Sequence, residues 1–264
     1  MTRRSLIGAI RESVVEKPVN KQFLQDVMMA IEKKTLNSTH NSSQYYKPSS
    51  CVCMRQMYFM RIGEDVDILP TEYNSIGMAD TGTRRHVAIQ DVLESMLDLG
   101  FDWLYIDVAD YVEMKKDEGK LKYIEVKGKV GAETKLVDTA LHVSFMCDGI
   151  LYNIKTQKYY LFEFKNQASF KYNGKVCVDA DHVKQVTQYC LLLDLSEVLV
   201  LYENRDTCML ECPELLIVTD EMKEEQANRL ITCEQYVENK IVPPKHSDTK
   251  PCRWCKYKTA CKKY

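Results

Sequence analysis

The chain has 264 residues, 45% hydrophobic and 28% charged, a balance that suits one large globular domain or two small ones. No apolar run approaches the roughly 20 residues of a membrane span. A formal net charge of −2 excludes a uniformly basic nucleic-acid binder, although Lys245 to Tyr264 carries seven Lys/Arg against one Asp, +6, leaving −8 for the rest. The first twenty residues, MTRRSLIGAIRESVVEKPVN, break their apolar pattern at Arg11 and Glu12 and lack a signal-peptide core. Eleven cysteines, an odd number, argue against a disulfide framework. The expected location is the cytoplasm, or the host cytoplasm for a viral protein, with no membrane partner.

In chain order, residues 5 to 36 read as one or two helices broken near Pro18, followed by a polar loop, NSTHNSSQ. CMRQMYFMRIG suggests a short helix carrying Tyr58 and Phe59. DTGTRRHVAIQDVLESMLDLG predicts a helix capped by Thr81 or Thr83 and stopped by Gly100. Val87, Ile89, Val92, Leu93, Met96 and Leu97 form much of its apolar side. Strand-like segments follow: WLYIDVADYVEM, KLKYIEVKG, KLVDTALHVSFMCDGILYN and KYYLFEFKN, with NIKTQK as a turn between the last two. A helix over 179–193, strands EVLVLYEN and ELLIVT, a charged helix over about 220–239 and a loop-like cysteine-rich end complete the chain. The order suggests an α/β core with helical flanks.

Within KYYLFEFKN, Glu163 and Lys165 interrupt an apolar strand two positions apart. Positions two apart share a face, so this pair groups with Tyr159 and Leu161, and Tyr160, Phe162 and Phe164 take the other side. Asp148, in CDGIL just before the turn, is brought beside Glu163 by a hairpin. Two carboxylates in a partly dry site repel and lose hydration, which a bridging divalent cation offsets. Mg²⁺ or Mn²⁺ suits oxygen ligands, and the backbone carbonyl of Phe164 could add another. A cation held there can bind phosphate and activate water, with Lys165 orienting the water or stabilising charge on phosphate. The plain alternative is an edge strand whose Glu163 and Lys165 face solvent. Gln185 and Tyr189, four apart in QVTQY, share a helix face. His86, near the start of the 83–98 helix, could give a nitrogen ligand or serve structure alone.

The order G-T-R-R-H, D-G-I-L, E-F-K, Q-V-T-Q-Y resembles the RecB-type nuclease branch of the PD-(D/E)XK superfamily, from about residue 50 to the C-terminus. The resemblance implies a restriction-endonuclease-like α/β core, with a central mixed sheet flanked by helices. It implies His86, Asp148, Glu163 and the Phe164 carbonyl as metal ligands, and Lys165 as the catalytic lysine beside Asp148 and Glu163. Gln185 and Tyr189 would contact DNA and steady the site.

C-R-W-C-K-Y-K-T-A-C places Cys252, Cys255 and Cys261 in a C-x₂-C-x₅-C arrangement that needs a fourth ligand. His246 could supply it for zinc; the distant SSCVCMRQMYF offers Cys53 or Cys51. RecB-like nucleases of the CRISPR-associated adaptation and AddB types carry one cysteine before the core and three after it, together holding a [4Fe–4S] cluster. That resemblance implies Cys53, Cys252, Cys255 and Cys261 here. Arg55, Tyr58 and Phe59 fit the family's first-cysteine pattern, but Met54 stands where proline is expected, which leaves Cys51 as a substitute. Four such thiolates would close a loop of about 200 residues.

The expected organisation is a helical region over 1–80 contributing one cluster cysteine, a nuclease core over 81–219, and a C-terminal helix with a cluster-binding segment over 220–264. The implied activity is metal-dependent hydrolysis of DNA, most often as an exonuclease on single strands or DNA ends, in recombination, repair, replication or CRISPR adaptation. Aromatics near the site could stack bases, and the basic C-terminal segment could follow phosphates. No G-x-x-x-x-G-K-[ST] is present, so unwinding is expected from a helicase or a recombination or adaptation partner. The rival expectations are a non-catalytic DNA-binding or assembly subunit and, at the level of substrate, RNA.

Overall fold

The computed structural model of the chain describes residues 19–36, 44–51, 53–67, 72–131, 133–172, 177–247, 252–253 and 255–264. Expectations for 1–18 and for the 37–43 part of the polar loop lie outside the described residues. Two compact units divide the chain: 1–41 with 69–81, and 42–68 with 82–264. Residues 42–68 and 220–264, expected as flanking regions, thus cluster with 82–219. In the first unit, helix α1 (Val19–Leu36) ends on Lys33 and Lys34, cations placed favourably at the negative end of the helix dipole. Its Glu32 accepts a hydrogen bond from the Tyr73 amide at 3.2 Å. None of the described helices is long and apolar enough to cross a membrane.

The second unit is mixed α/β, with a mixed central sheet flanked by helices. Helix α2 (Met54–Arg61) buries Met57, Tyr58, Phe59 and Met60. Helix α3 (Tyr73–Ser95) begins well before either expected cap, and the Thr81 hydroxyl donates back to the Gly77 carbonyl inside it. Gly100 does close the turn beyond this helix. At φ +87, its amide donates to Leu97 O at 3.0 Å and that of Phe101 to Met96 O at 3.0 Å, the Schellman pattern that favours glycine. Only Ile89 and Leu93 of the expected apolar side are fully buried.

WLYIDVADYVEM divides into strand β1 (Trp103–Ile106) and helix α4 (Val108–Asp117), rather than forming one strand. Asp107 caps the helix by accepting from the Ala109 amide at 2.8 Å, and Val108, Tyr111 and Val112 bury one face at helical spacing. Strands β2 (Ile124–Val130), β3 (Glu133–Asp138) and β4 (Val143–Phe145) form a small antiparallel sheet. KLVDTALHVSFMCDGILYN therefore spans two sheets, its last part being strand β5 (Gly149–Asn153).

Strand β6 (Lys158–Gln167) pairs antiparallel with β5 across the 154–157 turn. After a short helix α5 (Ser169–Tyr172), helix α6 (Ala180–Leu193) leads into β7 (Glu197–Asn204), which pairs parallel with β6. The central order is β1-β5-β6-β7, continued by the two-residue β8 (Leu210–Glu211), while β9 (Leu216–Ile217) also pairs β7. ELLIVT thus yields two strand residues. Helix α7 (Asp220–Glu238), capped by Thr219, packs on α6 and α2. A short helix α8 (Lys258–Lys262) lies in the segment expected to be loop-like.

Both faces of β6 are covered, which accounts for its near-continuous apolar sequence. Leu161 joins the main core with Val186, Tyr189, Cys190 and Leu193 of α6. Tyr160, Phe162 and Phe164 join a second cluster with Ile89 and Leu93 of α3 and Leu151 of β5. Glu163 and Lys165 consequently sit on a covered face, 4% exposed as a residue in the case of Glu163, and not on a solvated edge.

Candidate active site

The site lies where β5 begins beside β6. Gly149 pairs with Phe162, so Asp148, one residue earlier, faces the Glu163–Phe164 peptide. Asp148 Oδ2 accepts the Phe164 amide at 2.6 Å, and Oδ1 lies 2.8 Å from His86 Nδ1. The Tyr105 hydroxyl donates to the Asp148 carbonyl at 3.0 Å. A Cβ at Gly149 would run into the Tyr105 ring, a physical reason for glycine after this aspartate. A strand residue directs its N–H and C=O to the same edge. The Phe164 carbonyl therefore opens toward the edge where its amide meets Asp148.

His86, on α3, packs edge-on against the Phe164 ring at 5.0 Å. Burial pushes its pKa down, but the hydrogen bond and charge of Asp148 outweigh burial and raise it overall. The Glu163 carboxylate accepts from Lys165 Nζ at 2.6 Å and from Gln185 Nε2 at 3.2 Å, both on Oε1. Its Oε2 is buried and has no hydrogen-bond partner among the described residues. Burial, then the Asp148 charge, push the Glu163 carboxyl well up, against the pull of Lys165. Gln185 Oε1 accepts from Lys165 Nζ at 3.0 Å, and Gln185 Nε2 donates to the Tyr189 hydroxyl at 2.8 Å. His86, Asp148, Glu163, Phe164, Lys165, Gln185 and Tyr189 are thus brought into one place by α3, the β5–β6 hairpin and α6.

Glu133, at the start of β3, is a residue that sequence reasoning missed. Ligand atoms of His86, Glu133 and Asp148 all lie within 4.8 Å of one another. Burial and then Asp148 raise the Glu133 carboxyl, while His86 and Lys165 oppose this. The imidazole nitrogen of His86 with the Glu133 and Asp148 carboxylates is a donor set that suits Mg²⁺ or Mn²⁺; among the described residues, the expected ligand Glu163 does not fall within that group of mutually close ligand atoms. Close by, Glu203 on β7 is 1% exposed and accepts from Arg85 Nη2 at 2.5 Å, Arg85 Nε at 3.0 Å and Asn166 Nδ2 at 2.7 Å. This network ties the turn of α3 that carries His86 to the ends of β6 and β7.

At the other candidate centre, burial raises the Cys255 thiol, the Tyr257 backbone hydrogen bond lowers it, and Cys53, Cys252 and Cys261 add to the upward shift. The Tyr257 amide lies 3.4 Å from Cys255 Sγ, and Arg55 Nη1 lies 3.6 Å from Cys261 Sγ. Among the described residues, no group of three or more drawn from these cysteines and His246 has its ligand atoms all within 4.8 Å. One tetrahedral zinc, with bonds of about 2.3 Å, needs sulfurs about 3.8 Å apart. Cys51 is buried in the main core, where burial pushes its thiol up to about 12, opposed by Arg229, the Lys47 backbone and Gln188.

No family model and no curated protein matches the chain. Among solved structures, the chain is similar to the crystal structure of SSO0001, with a TM-score of 0.44 and 14% sequence identity over 91% of this chain and 96% of that one.

Proposed function

We propose that the protein is a metal-dependent deoxyribonuclease with a RecB-like PD-(D/E)XK core, acting on single-stranded DNA or DNA ends as an exonuclease. The observation that carries this reading is the Lys165–Glu163 ion pair set beside Asp148, with Gln185 holding both members of the pair. A buried carboxylate with a half-buried ammonium and a half-buried second carboxylate at one hairpin mouth fits phosphodiester hydrolysis better than fold stability, since burying charge carries a desolvation penalty.

Asp148, Glu163, His86 and the Phe164 carbonyl would hold Mg²⁺ or Mn²⁺, which supplies Lewis-acid stabilisation of phosphate charge. The Phe164 amide fixes the Asp148 carboxylate through Oδ2, and Tyr105 fixes its backbone. Lys165 positions the attacking water and stabilises charge on the phosphate. Gln185, braced by Tyr189, holds the Lys165 ammonium at that place. Cys53, Cys252, Cys255 and Cys261 would hold a [4Fe–4S] cluster joining the start of α2 to the C-terminal segment. Unwinding would fall to a helicase or a recombination or adaptation partner.

The test is digestion of single- and double-stranded DNA labelled at either end, with Mn²⁺ and with chelator, using Lys165→Ala as control. Metal-dependent cleavage lost in the control is expected. DNA binding by the folded, metal-supplied protein without cleavage of any form would replace this reading with that of a non-catalytic subunit. Cleavage of RNA alone would correct the substrate.

A further inference from the structure

We infer that Glu133 is an additional ligand of the site's divalent cation, so that the cation joins the small sheet to the central one. The inference rests on the metal-dependent reading above and deepens it. Among the described residues the sheets share no strand pairing: β2, β3 and β4 make one sheet, to which Tyr46 adds an isolated bridge at Val143, and β1, β5, β6, β7, β8 and β9 make up the other. Asp148 and Glu163 belong to the β5–β6 hairpin of the central sheet, whereas Glu133 opens β3 of the small sheet. Yet the Glu133 carboxylate comes within 4.8 Å of ligand atoms on both His86 and Asp148. No hydrogen bond or ion pair to a described residue holds it there.

Glu163 supplies an independent observation. It is 4% exposed, yet one of its oxygens has no partner among the described residues. A buried carboxylate oxygen in that state is stabilised by a cation. A metal-bound imidazole is neutral, so Glu133, Asp148 and Glu163 bound as carboxylates beside Lys165 would leave an excess of two negative charges, the charge of one divalent ion. Coordination from both sheets would restrain the β2–β3 hairpin, whose β2 strand is exposed at every residue after Ile124. The cation would then act as a cross-link as well as a Lewis acid.

The experiment measures Mn²⁺ binding by calorimetry and backbone amide exchange, with and without Mn²⁺, on the full chain and on Glu133→Gln and Asp148→Ala. Glu133→Gln keeps the side-chain volume, and its far-UV spectrum checks the fold. Expected are saturable Mn²⁺ binding by the wild-type chain, affinity weakened about tenfold or more in Glu133→Gln, and loss of binding in Asp148→Ala. Mn²⁺ should slow exchange over residues 124–138 in the wild-type chain but not in Glu133→Gln. Unchanged Mn²⁺ affinity in folded Glu133→Gln, with binding lost in Asp148→Ala, overturns the role of Glu133 and leaves the nuclease reading standing. Absence of Mn²⁺ binding by the wild-type chain overturns both.

Discussion

The Lys165 ammonium sits 2.6 Å from the Glu163 carboxylate on the covered face of β6, with side chains only 18% and 5% exposed. Lys165→Ala leaves that carboxylate with Gln185 as its remaining donor, so it should act on both chemistry and stability. Cleavage should fall by about 10²–10³-fold, the range for losing one charge-stabilising donor. Metal-free protein should lose about 1–3 kcal/mol from the lost charge-assisted hydrogen bond, and Mn²⁺ should restore part of that. Turnover and urea unfolding with and without Mn²⁺ test the two effects separately. Normal turnover in folded Lys165→Ala would remove the catalytic role.

Glu203 and Arg85 make a second pair of unequal burial, 1% and 37% exposed at the side chain. The inequality sets the direction of the next prediction. Arg85→Ala strands a buried carboxylate with Asn166 as a neutral donor and should destabilise by about 3–5 kcal/mol. Glu203→Gln leaves an arginine that can reach water, and should lose about 1 kcal/mol. Chemical unfolding of both variants without DNA or metal decides this. Equal losses would mean that the network does not bear on the buried carboxylate as argued.

The same carboxylate should shape acid stability. Burial pushes Glu203 up, but hydrogen bonds from Arg85 and Asn166 and the Arg85 charge prevail, and it titrates below its ordinary value. The unfolded chain therefore takes up its proton first as pH falls. The stabilisation from Glu203 is complete above the unfolded carboxylate value of about 4.3 and is lost as pH falls through the lower folded value. The stability gap between wild type and Glu203→Gln should be constant above about pH 6 and shrink below about pH 4. A gap that widens on acidification would contradict the assignment.

Much of this arrangement is legible in the sequence because it depends on local spacing. The Glu163/Lys165 period of two, the hairpin placing Asp148 beside Glu163, and the four-residue step from Gln185 to Tyr189 all follow from regular backbone. What was hidden depends on sheet-to-sheet packing. Glu133 precedes Asp148 by fifteen residues across two changes of strand and a change of sheet, so no periodicity links them. WLYIDVADYVEM misleads for another reason: Val, Tyr and Ile favour strands, and the Asp107 cap overrides that preference after only four strand residues. Arg85 stood beside His86 in the motif, but its partner Glu203 lies 118 residues away.

The cysteines give the last prediction. Arg55 is 6% exposed, and its contacts with described residues are the Pro243 carbonyl at 2.8 Å, the Cys261 carbonyl at 3.3 Å and Cys261 Sγ at 3.6 Å. None of these is a carboxylate, so among the described residues this buried cation has no anionic partner of the kind that burial ordinarily demands. Four thiolates around iron and sulfide would supply that charge beside it. Protein purified without oxygen should be brown, absorb broadly at about 400 nm and carry about four irons per chain. Cys53→Ser, Cys252→Ser, Cys255→Ser and Cys261→Ser should each lose most iron, whereas Cys51→Ser should retain it. Arg55→Met removes a positive charge next to the cluster and should lower its midpoint potential, an effect that packing loss alone does not dictate. The C-terminal segment should survive cluster loss in part, because the Asp67 amide donates to Lys256 O at 2.7 Å and the Asp67 carboxylate accepts the Thr259 amide at 3.1 Å. Colourless protein carrying one zinc per chain would sink the cluster assignment. Iron lost from Cys51→Ser but kept in Cys53→Ser would move the first ligand by two residues.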